Sequence, residues 1–258
     1  MARFSANLGY LWADLSLPDA IIAAGKAGFD AVECHFPYGY EPELVKAALH
    51  QSGLPMLGLN TRPGIKENDA FGLCAVPGRE SDARVLIDEA IAYADQIQCG
   101  NIHVLAGITD GDKKSEDVYR ENLNYAGSQA ADFGKIILIE PLNSGSVPGY
   151  HLNTVDAALD TIKAVGHKNI KLMFDCFHIQ IMQGDLVARL KLALPHVGHI
   201  QIAAVPDRGE PDRGEVNYSN VIEAIDAMGY GGFIGAEYKP RSNTDAGLGW
   251  LKAMEGEE

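Results

Sequence analysis

Basic side chains are scarce in this sequence, and this scarcity limits the partners that the chain can have. Its 258 residues include 21 Lys and Arg against 35 Asp and Glu, which gives a formal net charge of -14. Proteins that bind nucleic acids or anionic membranes rely on clustered Lys and Arg. We therefore expect no nucleic-acid partner and no membrane partner.

Cysteine is also rare, and long apolar runs are missing. The four cysteines are scattered and form no C-x-x-C motif, which is typical of reduced thiols in a cytoplasmic protein. The amino-terminal stretch has one early arginine and no apolar segment of the kind that directs export, and no run is long enough to span a bilayer. These absences favour a cytoplasmic location without an anchor.

Nucleotide-binding signatures are lacking as well. No G-x-G-x-x-G opens a helix after a strand, and there is no P-loop, so we expect no nucleotide cofactor. What the sequence does contain is an alternation of short apolar runs with helical periodicity. The apolar runs predict strands at 4–11, 29–36, 55–60, 101–105, 136–139, 170–174, 197–203 and 233–237. The periodic segments predict helices at 15–27, 41–51, 81–97, 117–133, 155–165, 179–194, 220–228 and 244–254.

Eight strand–helix units in about 250 residues predict a (β/α)8 TIM barrel rather than a doubly wound sheet. A chain of this size with 47% hydrophobic residues can bury one large core. We therefore expect residues 1–258 to form a single domain. The segment 61–78, which carries Gly and Pro, is longer than a connection requires and is typical of a loop that closes over a site.

The most informative stretch is KIILIEPLN at 135–143. The apolar run before Glu140 predicts a buried parallel strand, and Pro141 stops it, so Glu140 stands at the strand's carboxyl end. The segment GFIGAEYKP places Glu237 at a strand end in the same way, and two further strands carry Asp175 and Gln201. In barrels of this type the active site forms at the carboxyl ends of the strands.

These four side chains predict a metal site. Three carboxylates and one carboxamide offer only oxygen ligands, which suit a hard divalent cation such as Mg2+ or Mn2+. Such a cation polarises a substrate carbonyl and hydroxyl while Glu140 and Glu237 move protons between adjacent carbons. The alternative for each residue is a structural ion pair or cap, but four of them at the ends of strands five to eight favour a functional site.

Other polar residues are weaker candidates for contacts with substrate. Arg208 follows the seventh strand and is suited to binding a carboxylate through two parallel hydrogen bonds; its alternative is pairing with acidic neighbours on a solvated loop. His178 follows the sixth strand and Asn60 ends the third; a helix cap and a turn are their alternatives. His103 and His199 lie inside strands, where a hydrogen-bonded core histidine is an equal alternative.

Several motifs together resemble the hydroxypyruvate isomerase family of xylose isomerase-like barrels, and the resemblance extends over nearly the whole chain. They are IEPLN at 139–143, PGYHLNT at 148–154, D-x-F-H at 175–178, GHIQIA at 198–203, GEVNY at 214–218 and EYKP at 237–240. The related 2-oxo-tetronate isomerase branch is resembled by RFSANL at 3–8, VPGRE at 76–80 and PDRGEPDRGEVNY at 206–218.

This resemblance implies an aldose-ketose isomerase that acts on a small hydroxy or oxo acid. Interconversion of hydroxypyruvate and tartronate semialdehyde is the main expectation, and 2-oxo-tetronate isomerisation is the alternative. The resemblance also implies that Glu140 and Glu237 are the proton donor and acceptor, and that these two with Asp175 and Gln201 are the metal ligands.

The sequence departs from the pattern of this family at two positions beside the predicted site. Ala204 stands where an acidic residue is common, and Cys176 follows Asp175. A sugar epimerase of the same superfamily and a non-catalytic sugar-acid binding protein remain alternatives. A DNA-repair endonuclease acting on abasic DNA would need more histidine ligands and a basic face. A homo-oligomer is compatible with the sequence.

Overall fold

The computed structural model describes residues 2–67 and 69–255, which form a ring of parallel strands surrounded by helices. The strands are β1 (Phe4–Asn7), β2 (Ala31–Glu33), β3 (Gly58–Asn60), β4 (Asn101–His103), β5 (Ile136–Ile139), β6 (Ile170–Asp175), β7 (Val197–Ile202) and β8 (Ile234–Ala236). Neighbours in sequence pair in parallel from β3 to β8, and β1 pairs with both β8 and β2. Backbone hydrogen bonds from Leu57 to Val32 (2.8 Å) and from Cys34 to Gly58 (3.0 Å) connect β2 to β3. The predicted (β/α)8 barrel is confirmed.

The helices follow the strands on the outside of the ring. They are α1 (Leu17–Ala27), α2 (Pro42–Ser52), α3 (Glu80–Gln96), α4 (Lys113–Asp132), α5 (Val155–Val165), α6 (Cys176–Met182), α7 (Leu186–Ala193), α8 (Tyr218–Ala227) and α9 (Gly249–Glu255). Helix α1 begins at Leu17, two residues later than predicted, because Ser16 caps it by accepting a hydrogen bond from the Asp19 amide, and it ends at Gly28 with φ of 94°. Over the part of the chain described here, no helix is both long and apolar enough to cross a membrane.

Two helix predictions were wrong. The segment 244–254 is a 3-10 turn at Asp245–Gly247 followed by α9, which begins only at Gly249. The segment 179–194 is not one helix but parts of α6 and α7, and α6 begins at Cys176, directly after β6. Gly184 and Asp185 separate the two helices with φ of 63° and 52°, and left-handed residues interrupt the regular hydrogen bonding of a right-handed helix. Helix α4 also begins earlier than predicted, because Asp112 caps it by accepting from the Ser115 amide.

Polar side chains fill the inside of the barrel where β8 passes. A Cβ atom at Gly235 would lie 2.1 Å from Glu33 Oε1 and 2.8 Å from His199 Nε2. Both distances are shorter than a carbon atom tolerates without displacement of its neighbours. Gly235 therefore leaves room for side chains of β2 and β7 just below the mouth of the barrel.

Candidate active site

The four predicted strand-end residues converge at the carboxyl mouth of the barrel. Glu140, Asp175, Gln201 and Glu237 are at most 6% exposed. Asp175 and Gln201 are directly paired in the register of β6 and β7. Glu140 directly follows β5 and Glu237 directly follows β8, so the two glutamates approach from well-separated strands of the ring.

Three buried oxygens in this group have no hydrogen-bond partner among the described residues. They are Glu140 Oε1, Asp175 Oδ2 and Gln201 Oε1. A buried acceptor without a partner destabilises the fold by about 1–3 kcal/mol. Carboxylate and amide oxygens are the ligands that hard divalent cations prefer. The donor set therefore fits a divalent cation.

A histidine lies close to the same acidic group. Glu140, Asp175 and His178 each offer a ligand atom, and these atoms all lie within 4.8 Å of one another. Such a group of two carboxylates and an imidazole can hold a metal ion. The choice of ligands in this group therefore depends on which nitrogen of His178 carries its proton.

Hydrogen bonds fix that proton. The backbone amide of Asn143 donates to His178 Nδ1 (2.9 Å), and the side-chain amide nitrogen of Asn143 lies 2.8 Å from the same atom. The Asn143 side-chain oxygen is already used by the Ser146 amide (2.7 Å). Burial, followed by Arg208, lowers the pKa of His178 to about 3, so the ring is neutral and its proton is on Nε2. That N–H lies 3.6 Å from Asp175 Oδ2, where it can serve as a donor.

Glu237 is a well-satisfied carboxylate, unlike its neighbours. Its Oε1 accepts from Asn7 Nδ2 (3.1 Å) and lies 3.0 Å from His35 Nε2. Its Oε2 accepts from Arg208 Nη2 (2.6 Å). Burial alone would raise the pKa of Glu237, but Arg208 and His35 outweigh it and lower the pKa to about 2. Glu237 is therefore an anion held in one position.

Glu140 and Asp175 are in the opposite electrostatic situation. Burial and the charges of Glu237 and Asp175 raise the pKa of Glu140 well above its usual value. Burial also raises the pKa of Asp175, with Arg208 offsetting part of the effect, to about 7. The protein alone therefore compensates the charge of Glu237 but not the charges of the other two carboxylates.

Arg208 is half-buried at the mouth rather than solvated. Its guanidinium carbon lies 5.1 Å from the ring centre of Tyr10 and 4.8 Å from that of Phe177. Its Nη2 lies 3.5 Å from Asp175 Oδ2, in addition to the bond with Glu237. Its Nε has no partner among the described residues. The rings and carboxylates thus hold a cationic group at the cavity wall.

The acidic residues of the same loop pair with another arginine. Arg241 Nη1 contacts Asp212 at 2.8 Å and Glu210 at 3.1 Å, and Arg241 Nε contacts Asp207 at 3.1 Å. Pairing of Arg208 with Glu210 or Asp212, the alternative drawn from the sequence, is therefore not what the structure shows. Arg241 ties the loop after β7 to the loop after β8.

The two remaining predicted residues also face the mouth. His103 is buried with Nδ1 at 3.6 Å from Glu140 Oε2, and its Nε2 has no partner among the described residues. Burial lowers the pKa of His103 to about 3, so the ring is neutral. Asn60 ends β3, is half-buried and lines the cavity.

A cavity of about 370 Å³ lies above these residues, with Glu140, His178, Arg208 and Glu237 in its lining. Its other walls are largely apolar. They are formed by Phe36, Pro63, Ala70, Phe71, Leu105, Leu142 and Val147. A cavity with a few convergent polar groups and apolar walls is suited to a small organic substrate.

The loop predicted to close over the site contributes part of that wall. Asp69, Ala70 and Phe71 of the segment 61–78 line the cavity, while residue 68 lies outside the described residues. Arg79 holds Asp69 through two hydrogen bonds of 2.8 Å. Closure of this loop stays a prediction.

Comparison with known proteins decides the family. Residues 21–254 match the family model described as xylose isomerase-like TIM barrel. The chain belongs to this family. A 2-oxo-tetronate isomerase of Cupriavidus necator is 44% identical to it over 259 residues, covering 99% of this chain and 100% of that protein. A hydroxypyruvate isomerase of Escherichia coli K12 is 37% identical, with 97% of this chain and 98% of that protein covered. The resemblance drawn from the sequence motifs is confirmed.

This chain is also similar, over nearly its whole length, to a solved structure described as AP endonuclease, family 2 from Brucella melitensis. It superposes with a TM-score of 0.95 at 36% identity, covering 98% of this chain and 99% of that one. The barrel and its loops are thus shared with a protein whose description differs from those of the two isomerases.

Sequence reasoning missed four residues around the site: Asn7, Tyr10, Glu33 and His35. A signal was present for two of them, because AVECHFP at 31–37 places Glu33 and His35 at alternate positions before a proline, as with Glu140. Asn7 and Tyr10 were missed because both lay inside the predicted strand at 4–11. The strand ends at Asn7, and Tyr10 lies in the turn that follows.

We expect the chelator-treated protein to lose stability as pH rises from about 4 to about 7. The pKa of Asp175 is raised from its usual value of 3.8 to about 7, so the native state binds a proton that the unfolded state has released. Asp175→Asn and Glu140→Gln should therefore raise the melting temperature of the chelated protein at about pH 8. Thermal unfolding in chelator, recorded across this pH range, measures the effect.

Glu237→Gln is the matched comparison. Its carboxylate has partners in Arg208 and His35, and its pKa is lowered, so the same neutralisation should lower the melting temperature. If Glu140→Gln and Glu237→Gln lowered the melting temperature equally, the opposite pKa shifts assigned to these two glutamates would be wrong.

Proposed function

We propose that the chain is an aldose-ketose isomerase acting on a small hydroxy or oxo acid, with hydroxypyruvate and tartronate semialdehyde as the first pair to test. The observation that carries this proposal is the placement of two glutamates on separated strands of one cavity, beside three buried oxygens without partners. The relatives named as hydroxypyruvate and 2-oxo-tetronate isomerases support the same reaction class. 2-Oxo-tetronate is the alternative substrate.

Glu140, Asp175, Gln201 and Glu237 are the proposed ligands of one Mg2+ or Mn2+. When bound, such a cation polarises the carbonyl and hydroxyl oxygens of the substrate. Glu237 Oε2 accepts one hydrogen bond from Arg208 and keeps a second lone pair for this purpose. His178 is better suited as a donor than as a ligand, because its Nε2 carries a proton.

The two glutamates transfer the protons. Isomerisation moves one proton from the hydroxyl-bearing carbon to the neighbouring carbonyl carbon and one between the two oxygens. One glutamate removes the carbon-bound proton to give an enediolate, a proton passes between its two oxygens, and either the same or the opposite glutamate returns a proton to the adjacent carbon. The Nε2–H of His178 is placed to donate a hydrogen bond to a substrate oxygen.

A direct hydride shift across two cations is the competing mechanism. It would require a second group of ligands. The described residues offer one group of acidic and histidine side chains with suitable spacing, and it is the one containing Glu140 and Asp175. This favours proton transfer through the enediol.

Arg208 is the proposed anchor for the substrate carboxylate. Its guanidinium is oriented by Tyr10 and Phe177, and the residue lines the cavity. A planar guanidinium binds a carboxylate through two hydrogen bonds, which an ammonium group does not reproduce. Asn60 and His103 complete the proposed contacts at the cavity wall.

An endonuclease is the second candidate, because of the description of the similar solved structure. Duplex DNA would have to approach a chain with a formal net charge of -14, and binding of a phosphate backbone relies on basic surfaces. Assays of one preparation with hydroxypyruvate, a four-carbon 2-oxo acid and abasic duplex DNA separate the candidates. We expect turnover of an acid and no DNA cleavage.

Other sequence-based expectations stay predictions. The four cysteines are free and buried, which supports a reducing compartment and the proposed cytoplasmic location. A single domain over 1–258 and a homo-oligomer also remain to be tested.

We expect turnover in deuterated water to place deuterium on the carbon that gains hydrogen, because the abstracted proton exchanges with solvent at the glutamate. Glu140→Gln and Glu237→Gln should each lower kcat by a factor of about 100 or more, since each loses its proton-transfer group. Mass spectrometry of the product and initial-rate assays measure these outcomes. Glu215→Gln, on an exposed part of the loop after β7, is the control for the two glutamate variants.

Full retention of substrate hydrogen, with no label in product or recovered substrate, would indicate hydride transfer instead.

We expect Arg208→Lys to raise KM for the acid substrate about 10-fold, which corresponds to about 1.4 kcal/mol, because one of the two hydrogen bonds to the carboxylate is lost. Arg213→Lys is a matched control: it occupies the same position in the second copy of the PDRGE repeat and is exposed. Steady-state kinetics measures both. Unchanged KM in Arg208→Lys would remove this residue from the substrate site.

A further inference from the structure

One buried carboxylate below the cavity takes no part in the proposed chemistry. Glu33 ends β2 and is 5% exposed. Its Oε1 accepts from Ser5 Oγ (3.1 Å), and its Oε2 accepts from Gln201 Nε2 (2.9 Å) and lies 3.1 Å from His199 Nε2. Buried charged groups without a structural or functional partner are rare, so this arrangement calls for a role.

The bond to Glu33 determines which end of the Gln201 amide faces the site. A side-chain amide has a donor nitrogen at one end and an acceptor oxygen at the other, whereas a carboxylate only accepts. With the nitrogen turned to Glu33, the oxygen is left without a partner and is one of the three unpaired buried oxygens. The reversed amide would place two acceptors against each other.

The packing around Glu33 holds the Gln201 side chain in place, so that the hydrogen bond to Glu33 alone decides which end of the amide faces the site. A Cβ atom at Gly235 would lie 2.1 Å from Glu33 Oε1 and 2.9 Å from Gln201 Cγ. The free space lined by Glu33, His199 and Gln201 is only about 10 Å³, about the room of one water molecule. Because Gly235 has no side chain, there is room for this network. The surrounding packing restricts the other rotamers of Glu33 and Gln201.

We propose that Glu33 is a positioning residue that turns the oxygen of Gln201 toward the cation site. The inference rests on the cation site of the proposed function. By accepting from the amide N–H, Glu33 also increases the electron density on the Gln201 oxygen, as partners behind metal ligands do. Glu33 touches neither the substrate nor the cation and acts only through Gln201.

The test begins with Glu33→Gln, measured with Mn2+ alone. An amide at position 33 can present either end to Gln201, so it no longer fixes the orientation. We expect the Kd for Mn2+, measured by calorimetry, to rise about 10-fold or more. Water-proton relaxation should show an additional water on the bound Mn2+, because the Gln201 oxygen no longer occupies its position throughout. A merely structural role for Glu33 would leave this hydration unchanged.

A second variant keeps the test decisive if Glu33→Gln folds poorly. In the exchange variant Glu33→Gln with Gln201→Glu, the amide at 33 can donate to the carboxylate at 201, and the total charge is that of the original protein. We expect it to bind Mn2+ at least as tightly as the unmodified protein and without the additional water. A double variant that folds but binds Mn2+ about 10-fold more weakly than the unmodified protein, or with the additional water, would contradict the inference.

Glu116→Gln is the matched control. Glu116 on the outer helix α4 also accepts from a hydroxyl, Thr161 Oγ1, and contacts a histidine, His151 Nε2. We expect its Mn2+ affinity to equal that of the unmodified protein.

The outcomes separate this inference from the proposed function. If the unmodified protein binds no Mn2+, both the cation site and the positioning role of Glu33 are wrong. If it binds Mn2+ and turns over the acid, but Glu33→Gln shows the same affinity and the same hydration, the positioning role alone is wrong.

Discussion

Three buried oxygens without hydrogen-bond partners are the constraint on which the site depends. Glu140, Asp175 and Gln201 place them at the carboxyl ends of β5, β6 and β7, at the barrel mouth. Each destabilises the native state by about 1–3 kcal/mol as long as it is unpaired. Burial of the large barrel core offsets this loss of stability. The three oxygens find partners only when a cation binds them, so local stability is lower in exchange for binding.

The two glutamates at the barrel mouth differ in how far protein donors compensate their negative charges. Glu237 has three protein donors, Asn7, His35 and Arg208, and stays ionised without a cation. Glu140 has an uncompensated oxygen and a raised pKa. Two glutamates across one cavity with different environments are suited to giving and taking a proton at adjacent carbons. The same barrel in other proteins carries other descriptions, so the function is argued from these side chains and not from the fold.

Features that depend on residues close together in the chain could be predicted from the sequence. Glu140 and Glu237 were found because a proline ends each strand directly after the glutamate or a few residues later. The split between α6 and α7 was missed, because the break requires a left-handed conformation at Asp185, a residue that also occurs within helices. The place of Glu33 at a strand end had a local signal, but its contact did not, because its partner Gln201 is 168 positions away in the chain. Contacts of that kind follow from barrel closure, which no local pattern contains.

The most direct test of the account is a crystal of the protein soaked in Mn2+ and measured for anomalous scattering. We predict one anomalous peak per chain at the barrel mouth, in contact with Glu140 Oε1, Asp175 Oδ2, Gln201 Oε1 and Glu237 Oε2 at about 2.0–2.4 Å, as oxygen ligands bind hard divalent cations. A fully occupied peak elsewhere, with these four oxygens still free of metal, would contradict it.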